Sequence, residues 1–119
     1  MALALRGMAF EPAPTHNPSV PVTFFDRREI SALMSLYGRM VAAGHWRDYA
    51  IDGLRDAAVF SVFRRASEAP LYRIEKRPAM ARKQGAWSVI AQGGLVMKRG
   101  HDLAQVLRVF DRARFAVVD

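Results

Sequence analysis

The side chains with the clearest capacity for chemistry are three histidines, His16, His45 and His101, and they stand far apart with no HxxH or HxxxH pair. Metal sites need three or four convergent ligands, and a chain without cysteine has no thiolates to supply them. The same absence excludes disulfides and thiol catalysis. His101 precedes Asp102 and reads as a loop residue beside a helix cap. An acyl-transfer triad needs a serine or threonine close to a histidine and a carboxylate. Ser61 and Ser88 fall in strand patterns while His45 and His101 fall in loops, and no nucleophile-elbow sequence surrounds either serine. Gly93-Gly94 is followed by Leu95 and opens a strand, so it lacks the Lys-Ser/Thr and the helix of a phosphate-binding loop. The expectation is a protein that is not an enzyme and uses no metal or cofactor.

Charge carries the stronger signal. The chain of 119 residues has 18 Lys and Arg against 11 Asp and Glu, a formal net charge of +7. Nine of the basic residues lie between Arg64 and Arg99, with only Glu68 and Glu75 for company, which leaves nine against nine elsewhere. A local excess of this kind favours an anion-attracting surface over general solubilisation. The candidate anion or nucleic-acid contacts are Arg64, Arg65, Arg77, Arg82, Lys83, Lys98 and Arg99, with Tyr72 or Trp87 available for base stacking. The competing reading is a solvated rim paired with Glu68, Glu75 and the acidic residues of the first hairpin. No RNP aromatic run and no GXXG loop is present.

The elements that position these residues are legible from period and capping. Residues 1–22 hold four of the six prolines and no hydrophobic periodicity, so they read as an extended or disordered arm that packs Phe10 or Val20 onto the body. Residues 23–119 read as a single domain. Asp26 with Glu29 is a capping box, Phe25 and Ile30 form a hydrophobic staple, and Gly44 is a natural stop. Between them Ile30, Leu33, Met34, Tyr37, Met40 and Val41 make one apolar stripe.

The period then changes to two. Arg47–Asp52, Ala57–Arg64, Leu71–Lys76, Trp87–Gln92 and Leu95–Lys98 alternate as strands. Val59 and Phe63 oppose Phe60 and Val62, so the second strand is apolar on both sides and must be covered twice. Asp52-Gly53 competes with Arg55-Asp56 for the first turn, Ser67–Pro70 supplies the second, and Gly93-Gly94 signals a two-residue hairpin. Pro78 to Gly85 suits one helical turn. Asp102 with Gln105 suggests a second capping box, with Leu103, Val106, Leu107 and Phe110 as its stripe, and Phe115–Val118 a last strand or packed tail. The predicted fold is α+β, an antiparallel meander sheet of four to five strands with two capped helices packed on it. Helix-turn-helix geometry is excluded because the whole sheet separates the helices.

The segments YGRMVAAGHWRDYAIDGLRDAAVFSVFRRASEAPLYRIEKRP, QGAWSV and GGLVMKRGHDLAQVLRVFD resemble an uncharacterised alphaproteobacterial family, domain of unknown function 2794. The resemblance runs from about Phe25 to Asp111. It implies a small cytoplasmic bacterial protein, and it brings no catalytic or ligand residues to carry over.

The apolar start MALALRGMAF is broken by Arg6, and no later stretch approaches eighteen apolar residues, so a soluble cytoplasmic protein without membrane contact is expected. The functional expectation is non-catalytic binding of an acidic partner, nucleic acid first and an acidic protein second. The alternative is a protein-interaction module or homo-oligomer that uses a sheet edge and exposed aromatics, Tyr37, Trp46 and Trp87.

Overall fold

Asp26 and Glu29 start the first helix through reciprocal bonds. In the computed structural model, which describes residues 21–65 and 69–111, the Asp26 carboxylate accepts the Glu29 N–H and the Glu29 carboxylate accepts the Asp26 N–H, both at 2.8 Å. Two of the donors that a helix start leaves orphaned are thereby satisfied. Helix α1 spans Arg27–Ala42 and is capped by Ala43, after which Gly44 turns the chain at φ 85°. Its buried face is Leu33, Leu36 and Met40, flanked by the partly buried Ile30, Met34 and Tyr37. The predicted stripe therefore needs one correction. Val41 is exposed and Leu36 takes its place, because the line through Leu33 and Met40 passes over Leu36 and leaves Val41 a further 100° round the helix.

Five strands follow: β1 Asp48–Gly53, β2 Ala58–Phe63, β3 Tyr72–Lys76, β4 Trp87–Ala91 and β5 Val96–Gly100. They form one antiparallel meander in the order β1-β2-β3-β4-β5, and a short helix α2, Leu103–Leu107, closes the described chain. The fold is α+β. The first turn is centred on Arg55-Asp56, since the Leu54 N–H reaches the Ala57 carbonyl at 2.8 Å and Gly53 stays in β1. Gly93 and Gly94 both adopt positive φ, 91° and 92°, and the Gly94 N–H closes the β4–β5 turn on the Ala91 carbonyl at 2.9 Å. Gln92 joins them, so the loop is one residue longer than a two-residue hairpin, and a register shift at Val89/Ile90 absorbs the difference. At α2 the Asp102 carboxylate accepts the Gln105 N–H at 3.0 Å, but Gln105 returns no bond, so this is a single cap and not a box.

Both helices lie on one face of the sheet. Leu33, Leu36, Met40, Leu103, Val106, Leu107 and Phe110 pack there with Phe60, Val62, Ile74 and Val89. Aromatic contacts knit the far end of this layer, where Phe110 meets Trp46 edge-on at 5.2 Å and Tyr72 at 5.0 Å. Lys76 pins the other end, donating to the Glu29 carboxylate at 2.7 Å and to the Phe24 carbonyl at 2.8 Å. Among the described residues no helix is long and apolar enough to cross a membrane. The Pro-rich arm up to residue 20 and the expected last strand Phe115–Val118 lie outside the described residues.

Glu29 thus does two jobs with one carboxylate, and the pair it makes with Lys76 is mostly withdrawn from water. Replacing Asp26 with Ala removes a cap and should lower stability by about 1 kcal/mol. Glu29→Ala removes the cap and the ion pair together and should cost about 2 kcal/mol. Chemical denaturation of the two variants checks the order; equal losses would show that the Lys76 contact adds nothing.

Candidate functional site

The candidate cations are sorted by the direction of the strands that carry them. β3 and β5 finish at the same end of the meander and β2 finishes at the other. Arg77 and Arg99 therefore share one end, with Lys98 next to Arg99 at mid-strand, and Arg82 and Lys83 join them from the β3–β4 connection. Arg64 and Arg65 stand exposed at the opposite end, beyond Phe63. The seven residues do not make one patch.

Sequence order alone does not bring the β3–β4 connection against β5; backbone contact does. The connection folds into a knob: Pro78–Met80 is a 3-10 turn, the Lys83 and Gly85 N–H groups both reach the Met80 carbonyl, at 2.9 and 3.0 Å, and the Arg77 N–H closes the knob on the Ala86 carbonyl at 2.7 Å. Gly85 has φ 103° and lies directly on Gly100, so close that a Cβ would run into the Gly100 carbonyl. Next to that contact the Arg99 guanidinium donates to the Gln84 side-chain oxygen at 2.6 Å. Arg82-Lys83 is thereby held alongside Lys98-Arg99. Gln84 escaped the sequence reading because an exposed Gln in a loop carries no signal of its partner, and Gly85 was legible only as the end of a turn.

The electrostatics of this end are lopsided. Arg82, Lys83, Lys98 and Arg99 are exposed, and the side chains of Arg82, Lys83 and Lys98 make no hydrogen bond or ion pair among the described residues. Arg77 is tethered: its Nε donates to Glu75 at 3.0 Å, while Arg73 Nε donates to the other Glu75 oxygen at 3.3 Å. Glu75 is buried and needs those partners, since a carboxylate out of water without them is costly. On the α2 side, Asp102 is engaged at the helix cap. The predicted pairing of the rim with Glu75 thus holds for Arg77 and Arg73 and reaches no other candidate; Glu68 lies outside the described residues. Lys98 is in register with Val89 and Arg99 with Ser88, so these two cations leave the edge strand on opposite faces.

The aromatic part of the expectation is overturned. Trp46 is 1% and Trp87 6% exposed, because both complete the layer between helices and sheet, and Trp87 stacks on Phe25 at 6.0 Å. Tyr72 packs on Trp46 and Phe110, and Tyr37 on Tyr49 and Phe60. None of them is placed as a base-stacking platform or as an exposed interface anchor. The exposed aromatic among the described residues is Phe24, which lies against Gly53 on the β1 side.

Gly85→Ala should force the knob away from β5, with a loss of about 2 kcal/mol or more from the positive φ and the backbone clash together. Gly93→Ala, equally left-handed but with open space around it, should cost less. Thermal melts of the two variants check the difference.

No curated protein and no solved structure matches the chain at a significant level. Residues 23–107 match a family described as a protein of unknown function, DUF2794. That span takes in all five described strands, α1, the Gly85–Gly100 contact and all seven candidate cations, and on it the chain belongs to the DUF2794 family.

Proposed function

We propose that this protein is a non-catalytic binding module for an extended polyanion, nucleic acid above all, and that Arg77, Arg82, Lys83, Lys98 and Arg99 form the contact surface. The observation that supports it is the knob on Gly100, which sets two basic pairs side by side. Backbone phosphates are the fitting ligand. Guanidinium and ammonium groups neutralise them without reading sequence; Trp87 is buried, and the half-buried Tyr72 packs on Trp46 and Phe110 at the other end of the sheet. Arg64 and Arg65, at the far end, stand outside this surface.

A second reading is self-association through a sheet edge. Leu95 and Val96 are exposed at the start of the edge strand β5, and an unpaired edge is a ready template for another chain. Lys98 and Arg99 on the same strand oppose it by charge repulsion between copies.

Salt separates the readings. Neutralising five phosphates predicts a log–log slope of about −4.5 against salt on a DNA duplex, and reversing Arg82 and Lys83 to Glu should remove about two of those contacts. Arg64→Glu, at the other end, should leave the slope unchanged. Fluorescence anisotropy with a mixed-sequence duplex and single strand, each across a salt series, gives these numbers. No binding at low salt would end the polyanion reading, and a salt-insensitive dimer in sedimentation would favour the edge.

A further inference from the structure

The face of the sheet turned away from the helices is buried along β2. Val59, Phe63, Ala50 and Ile90 point to it, as the register with Glu75, Asp48, Ser61 and Arg73 requires, and none belongs to the cluster beneath the helices. Phe63 is only 1% and Val59 only 8% exposed. Yet α1 and α2 both lie on the other face, and among the described residues no helix or strand is stacked on this one. A groove of about 530 Å³ runs along it, floored by Val59, Ser61 and Phe63 and walled by Leu54, Pro70 and the Arg73–Glu75–Arg77 row. Burial on an antiparallel sheet face needs a cover.

We propose that the N-terminal segment, residues 1–20, is that cover, and that its apolar start, with Leu3, Leu5, Met8 and Phe10, docks in this groove. The chain enters the described domain at the groove's own rim: the Thr23 N–H donates to the Leu54 carbonyl at 2.7 Å and its hydroxyl to the Arg55 carbonyl at 3.0 Å. Twenty residues reach at most about 72 Å, while five strands span only about 19 Å, so length is ample. The prolines at 12, 14 and 18 narrow the freedom lost on docking. The C-terminal residues 112–119 start from the wrong side, because Asp111 sits beside Arg39 of α1 at 3.7 Å on the helix layer. Three residues, 66–68, are too few. Arm docking does not rest on polyanion binding: the two proposals share Arg77 at the groove wall, but the arm is tested by the groove amides and the polyanion by its salt slope.

The absence of cysteine makes the test clean. A nitroxide on Arg6→Cys of the otherwise unaltered chain should erase the amide signals of Val59, Ser61, Phe63 and Arg73 in a ¹⁵N spectrum, and spare those of Arg28, Ser31 and Ser35 on the outer face of α1. Adding Leu3→Asp and Leu5→Asp to the labelled chain should restore the groove signals while the rest of the spectrum stays folded. Unchanged groove signals in the labelled chain would overturn the proposal, as would loss that survives the two aspartates. Loss seen only when nitroxide and ¹⁵N are on separate copies would assign the face to a second copy and overturn it equally. A nitroxide on Ala116→Cys that erases the groove signals in place of Arg6 would assign it to the C-terminus.

Discussion

Strand β2 surrenders all six of its side chains to the interior, from Ala58 to Phe63, and a sheet built around such a strand has to be covered on both faces. Most of the architecture follows from that requirement. On one side α1 and α2 press Leu33, Leu36, Met40 and Val106 onto Phe60, Val62, Ile74 and Val89. On the other, the alternation that makes β2 doubly apolar brings Val59 and Phe63 into a row that polar strands alone could not shield. At about 25 cal/mol per Å² of apolar surface, leaving either face wet would forfeit several kcal/mol in a domain whose net stability is only of that order.

Charge is handled by the same geometry. A carboxylate at Glu75 lies on the second face, where water is scarce, and it survives because strand alternation puts Arg73 two residues before it and Arg77 two residues after, all three projecting the same way. Lys76, one residue on, projects to the helix side and meets Glu29 there. Three charges of one short strand, with Arg77 just past its end, are thus tied into structure, while the side chains of Arg82, Lys83 and Lys98 on the knob and the edge strand are not. Lys98 and Arg99 have a second consequence: charges on an edge strand discourage another sheet from adding to it.

The local elements were written plainly in the chain. Capping at Asp26 and Glu29, the two-residue period of five strands and the glycine pair at residues 93 and 94 each depend on neighbours within four positions, so sequence spacing reports them. Two local details were misread, the length of the Gly93-Gly94 loop and the box at Asp102; the larger misreadings came where a partner lay far along the chain. Trp46 and Trp87 have amphipathic side chains that suit an interface as well as a core, and only the arrival of Phe110 on one and Phe25 on the other decides for the core. Val41 gave way to Leu36 because the direction from which the sheet meets α1 is a tertiary fact.

By itself, then, the sequence determined an α+β meander, its caps and turns, and an excess of positive charge confined to Arg64–Arg99, because these are properties of neighbouring residues and of composition. The tertiary structure decided which of those charges stand together. Five gather at one end and two are sent to the other, since strand direction alternates and since Gly85, lacking a Cβ, alone lets the β3–β4 connection rest on Gly100.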